Sequence, residues 1–175
     1  SPLSARTALL DVSNAFSGPD AALVAFDSVS FSASVSAAES PSVLIDAFVS
    51  GYAHLARELC AAFERRGRGR LVFVRTRRPS RTRSESFDPA SAALAMSLAE
   101  AAFSRLAEET SRWIARKESR EHTCLLVSRT GDESDEKLVP WLASRVLTAR
   151  GELSRSRSLT VWTPALAPEV FGFLP

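Results

Sequence analysis

Apolar residues in this chain fall into two patterns that alternate along it: short unbroken runs, and longer stripes repeating every three or four positions. The runs are Ala8-Leu9-Leu10-Asp11-Val12, Ala21 to Phe26, Leu71 to Val74, Thr123 to Val127 and Leu159 to Trp162. Runs this short and this apolar are expected of strands buried on both faces of a parallel sheet. The first is followed by Ser13, Asn14, Ser17, Gly18 and Pro19, a cluster of turn formers. The Ser- and Ala-rich stretch from Val29 to Ser40 has no periodicity and reads as a loop or edge segment.

The stripes predict helices. Ser40-Pro41 supplies an N-cap and a first-turn proline, after which Leu44, Phe48, Tyr52, Leu55, Leu59 and Phe63 recur at helical spacing until Gly67 and Gly69 end the pattern. Ala47, Val49, Ala53, Ala56 and Cys60 widen that apolar surface beyond one stripe, as expected of a helix covered on more than one side. Asp88-Pro89 repeats the start signal, and Ala90 to Lys117 is rich in Ala, Leu and Glu with no Gly or Pro inside. A third helix is predicted from Ser134 to Thr148. Strands alternating with helices imply an α/β fold, a three-layer Rossmann-like domain with a mainly parallel sheet.

Length and charge narrow the functional classes. At 175 residues, 45% of them hydrophobic, one domain spanning the whole chain is expected. A formal net charge of +2 does not mark the surface as a nucleic-acid or membrane binder. No apolar stretch approaches the roughly 20 residues that cross a bilayer, so no membrane partner and a cytoplasmic location are expected. Cys60 and Cys124 stand in different elements without metal-binding spacing and read as buried thiols. His54 and His122 are far apart in sequence and predict no metal site. The acidic run Gly131 to Glu136 reads as helix-start residues facing the positive end of the dipole. The one strong local charge is basic: Arg75, Arg77, Arg78, Arg81 and Arg83, among serines and Pro79, predict a loop over residues 75–86. That loop is a candidate for binding the phosphate groups of an acyl carrier, coenzyme A or nucleic acid. With no aromatic interleaved as a stacking platform, a solvated loop is the first expectation, and nucleic acid is not an expected partner.

The order of these segments resembles the short-chain dehydrogenases/reductases, in particular 3-oxoacyl-carrier-protein reductases. The resemblance is carried by Arg65-Arg66-Gly67-Arg68-Gly69-Arg70-Leu71-Val72-Phe73-Val74, which is similar to that family's Gly-rich turn and central strand. Leu10-Asp11-Val12-Ser13-Asn14 and Leu23-Val24-Ala25-Phe26-Asp27-Ser28 upstream, and Glu136 to Arg150 and Gly151 to Trp162 downstream, extend it over most of the chain. The resemblance begins near the family's third strand and implies a truncated version of its domain. The family's catalytic Tyr-x-x-x-Lys pair matches Phe87 and Ser91, and its assisting serine falls at or near Thr76. Phenylalanine has no proton to donate, and Ser91 cannot hold a nicotinamide ribose as lysine does. The family's helix asparagine matches Phe48. No Gly-x-Gly-x-x-Gly occurs among the seven glycines, so no cofactor is expected.

The resemblance therefore implies a degenerate, non-catalytic subunit supporting an active NAD(P)H-dependent ketoreductase in fatty-acid, polyketide or related acyl metabolism. Its expected partner is a complete short-chain reductase, with a homodimer and contact with an acyl carrier also open. Family members pair through the helices before and after the central strand, which here places the expected interface at Phe48, Tyr52, Leu55, Leu59, Ala102, Phe103 and Leu106. Alternatives are a stand-alone binding protein for an acyl or phosphorylated ligand, the structural half of a polyketide ketoreductase, or an enzyme with rearranged residues using Thr76 or Asp88.

Overall fold

The computed structural model describes residues 18–28, 30–31, 41–77, 89–116, 122–130, 135–148 and 160–162. In chain order these form strand β1 (Ala21–Asp27), helix α1 (Pro41–Arg66), strand β2 (Gly69–Arg77), helix α2 (Pro89–Arg116), strand β3 (His122–Thr130), helix α3 (Asp135–Thr148) and strand β4 (Thr160–Trp162). The four strands make one parallel sheet in the order β1-β2-β3-β4. The expected three-layer Rossmann-like α/β architecture is thus observed. The strand expected at Ala8 to Val12 lies outside the described residues.

Because side chains alternate across a strand, each strand feeds two cores. Leu71 and Phe73 of β2, Val24 and Phe26 of β1 and Cys124 and Leu126 of β3 pack with α1 and α2. Val72, Val74, Leu125 and Val127 point the other way, against Leu138, Trp141 and Leu142 of α3. The sheet therefore advances in one direction while its first two crossovers cover one face and its third covers the opposite face. The last crossover consequently has the opposite hand to the first two, an uncommon arrangement in parallel sheets.

Coverage of the α3 face is uneven. β1 presents Ala21, Leu23 and Ala25 on that face, and all three are exposed, Leu23 at 54%. On the other face an aromatic cluster fills the space between sheet and helices: Phe26, Phe31, Phe48, Tyr52, Phe73 and Phe103 meet at centroid distances of 4.5 to 5.6 Å. Phe31 belongs to the stretch expected to be a loop. Ser28, Ser30 and Phe31 are helical instead, with the Asp27 carboxylate accepting bonds from the Ser30 hydroxyl (2.8 Å) and backbone N–H (3.3 Å). An Asp cap followed by one large apolar side chain fixes a turn too short to show periodicity.

At the amino ends of the strands, Asp20 clasps the α1–β2 connection. Its Oδ1 accepts bonds from Arg66 Nε (2.7 Å) and Arg68 Nε (2.8 Å), and its carbonyl accepts the Arg70 N–H. Gly67 turns the chain out of α1 with φ of 74°, a left-handed conformation that favours glycine. Cys60 and Cys124 are buried free thiols, as expected. His122 opens β3, is buried, and its Nε2 lies 3.2 Å from the Phe63 carbonyl oxygen.

Candidate functional site

Polar residues flank the apolar middle of β2 and β3 at both ends, Arg70, His122 and Thr123 at the amino ends and Arg75, Thr76, Ser128 and Arg129 towards the carboxyl ends. In the register of the strands, Phe26, Arg75 and Ser128 form one row, and Asp27, Thr76 and Arg129 form the next. By alternation, Arg75 and Ser128 face α1 and α2, while Asp27, Thr76 and Arg129 face the α3 side. Neighbouring strands lie roughly 4.8 Å apart, so Thr76 and Arg129 sit directly side by side.

Arg75 is held from two elements. Its Nη1 donates to Ser104 Oγ of α2 at 2.9 Å and its Nη2 to Ser128 Oγ of β3 at 3.1 Å. Ser104 in turn donates to the Glu100 carbonyl at 2.9 Å, which leaves its oxygen lone pairs directed at the guanidinium. Both partners are neutral. The Arg75 Nε–H is buried without an acceptor, and among the described residues no carboxylate pairs with Arg75. Arg129 is 5% exposed, an unusual burial for a guanidinium at a strand end.

These positions correct the expected basic loop. Arg75, Thr76 and Arg77 belong to β2, because pairing with β3 continues from Arg75↔Ser128 to Arg77↔Thr130. A sheet ladder satisfies backbone groups whatever the side chains are, so three polar residues extend the strand. Arg78, Arg81, Arg83 and Phe87 lie outside the described residues, and Ser91 falls within the first turn of α2.

The expected interface is also corrected. Leu59 and Phe103 lie in the chain's own core, Phe103 only 1% exposed. Phe48, Tyr52, Leu55 and Leu106 are partly buried against that same core. Tyr52 donates its hydroxyl to the Ala25 carbonyl of β1, and burial pushes its phenol pKa up. Ala102 is half-buried. The physical reason is that α1 and α2 lie side by side on one sheet face, so their apolar stripes are consumed inside the chain. The apolar residues left outside are different ones: Leu94 and Leu98 of α2 and Val49 of α1.

Ser104, Ser128 and Arg129 escaped the sequence reading. The signal for Arg129 was a lone cation ending an apolar run, in Val127-Ser128-Arg129-Thr130. Ser104 had no sequence signal, since only packing of α2 on the sheet brings it to Arg75.

As chemistry, guanidiniums and hydroxyls can bind and orient an anion, but they do not supply a proton donor near neutral pH. Among the described residues no cluster of His, Cys, Asp and Glu could hold a metal ion, and no helix is long and apolar enough to cross a membrane. Neither the protein-family models nor the curated proteins compared with the chain match it.

Proposed function

We propose that this chain is a non-catalytic, short-chain-reductase-like subunit that assembles with an active NAD(P)H-dependent ketoreductase in acyl metabolism. One observation carries the reading: the outward surface of α2 changes character halfway along the helix. Its first half exposes Ala93, Leu94, Ser97, Leu98 and Ala101, with Leu94 61% and Leu98 49% exposed and one turn apart. Its second half exposes Arg105, Glu108, Glu109 and Arg112, an intrahelical ladder of ion pairs. The second half is what a solvated helix face carries, whereas the first is what a covered one carries. Val49 of α1, also exposed, adds a further apolar residue in the same helix layer.

One feature of the sequence supports the non-catalytic part: Phe87 and Ser91 stand where the resembling enzymes place their tyrosine and lysine. Homodimers and heteromers with a complete reductase both fit a helix-mediated contact.

Light scattering of the chain alone and mixed with a complete 3-oxoacyl reductase tests the proposal. Association is expected, and Leu94→Glu with Leu98→Glu should abolish it while leaving circular dichroism unchanged. Charges placed at a docked apolar contact cost several kcal/mol, enough to separate most complexes. A wild-type chain that stays monomeric with and without the reductase at about 100 µM overturns the reading, since that concentration exceeds the dissociation constant of even weak specific contacts.

A further inference from the structure

β1 stands at one end of the strand order, so among the described residues one of its edges has no neighbouring strand. The ladder fixes which backbone groups lie on that edge. The Asp20 carbonyl accepts the Arg70 N–H and so points to β2. In a parallel pair, alternate residues turn both their backbone groups to alternate sides. Ala22, Val24 and Phe26 therefore follow Asp20 towards β2, while Ala21, Leu23, Ala25 and Asp27 present theirs outward.

Outward N–H and C=O groups are a template for another strand, and β1 lacks the deterrents that edge strands usually carry. Ala21 to Phe26 holds no charge and no proline, and Ala21, Leu23 and Ala25 are exposed on the α3 face. One contact interrupts this edge. Tyr52 reaches from α1 and donates its hydroxyl to the Ala25 carbonyl, one of the outward groups. Its ring is held in place by Phe48 and Phe103, at centroid distances of 4.5 and 5.2 Å.

We infer that the Tyr52 hydroxyl is an edge guard, which by occupying the Ala25 carbonyl keeps β1 from pairing edge to edge with a second copy of this chain. Two copies related by a two-fold axis at Val24 align Leu23 of each antiparallel to Ala25 of the other, and Ala21 to Asp27. This register uses every outward residue of the strand, and in it each Ala25 carbonyl accepts the Leu23 N–H of the other copy. The Tyr52 hydroxyl now takes that bond, so the pairing is blocked twice. The rival account is that the bond only satisfies the phenol and ties α1 to β1. Tyr52 is only half-buried, however, so water can satisfy its hydroxyl without an acceptor from the strand.

Sedimentation and amide I infrared spectroscopy of the Tyr52→Phe chain against its parent test the guard. Both chains carry Leu94→Glu and Leu98→Glu, so the helix contact proposed above is absent from every arm and its failure is read separately. Tyr52→Phe should raise the self-association constant about tenfold or more, the effect of one or two freed hydrogen bonds, and bring up the infrared band of intermolecular strands. Adding Leu23→Lys, a charge on the edge strand, should return the parent's behaviour. Equal association of Tyr52→Phe and parent overturns the inference, even with a lower urea midpoint, since that is what a purely structural bond gives. Association that persists with Leu23→Lys overturns it too. Native-state hydrogen exchange of the unaltered chain is a second check that needs no variant to fold. The Ala22, Val24 and Phe26 amides should be protected by β2, and those of Leu23 and Ala25 should exchange fast. Protection of Leu23 and Ala25 overturns the inference, because another strand then already lies along this edge.

Discussion

Phe103 gives the sharpest test of how this domain is held together. Its ring is 1% exposed and meets Phe26, Tyr52 and Phe73 at centroid distances of 5.6, 5.2 and 5.6 Å, so it joins β1, α1 and β2 to α2. Phe103→Ala removes the ring from a site walled by other aromatics and by the small residues Ala99 and Ala107, which cannot expand to refill it. Core Phe→Ala changes cost about 3–5 kcal/mol. Three ring contacts worth about 0.5–1.5 kcal/mol each beyond burial place this one near the top of that range. Against a total stability of about 5–15 kcal/mol, such a loss is a large fraction of the fold. Urea denaturation at 25 °C, followed by circular dichroism, should show a lower midpoint; with a slope of about 2 kcal/mol per molar, the shift is about 2 M. Light scattering of the variant that remains folded should match wild type. A loss below about 1 kcal/mol, within the range of ordinary surface substitutions and mild core ones, would refute the placement of Phe103 at the centre of the core.

Other outcomes follow from particular contacts. A Cβ at Gly69 would overlap the Phe63 ring, so Gly69→Ala should destabilise by about 1–3 kcal/mol in the same urea assay, whereas Gly67→Ala meets open space and should cost only the left-handed backbone, about 1–2 kcal/mol. Burial, and then Glu64, pushes the Cys60 thiol up to about 11; burial, and then Cys60, pushes Cys124 up to about 12. Neither thiol should react with a disulfide reagent at pH 8 until urea unfolds the chain, and stoichiometric labelling of the native state would contradict their burial. The hydrogen bonds from Arg66 and then Arg68 hold the Asp20 carboxyl below its usual value. Its contribution to stability is therefore full above the unfolded-state pKa and lost as pH falls through the lower folded one, so Asp20→Asn should flatten the acid limb of the stability curve, less so in high salt. Nicotinamide fluorescence should show no saturable change when NADH or NADPH is titrated with the chain, and a micromolar dissociation constant would mean that the family resemblance has been misread.

Local chemistry wrote much of the fold into the sequence. The paired signals Ser40-Pro41 and Asp88-Pro89 act within one turn, and α1 and α2 begin at those prolines. The apolar runs at Leu71 to Val74 and Thr123 to Val127 mark strands because only a doubly covered strand buries every successive residue, whereas the run Ala21 to Phe26 also forms a strand although only one of its faces is covered. The alternation of strand and helix then leaves few arrangements other than a layered parallel sheet. Tertiary packing decided the rest. The apolar surface of α2 is wide enough that its sequence cannot say which side meets the sheet; packing chose Ala95, Ala99 and Phe103 for the interior and left Leu94 and Leu98 outside. Strand ends were set by ladder partners on neighbouring chain segments, which carried β2 through Arg75 to Arg77 against the polarity of those residues. The side taken by α3 depends on which sheet face remains uncovered, a property of no single segment. Packing of α2 on the sheet likewise brings together Arg75, Ser104 and Ser128, separated by up to 53 positions in the chain.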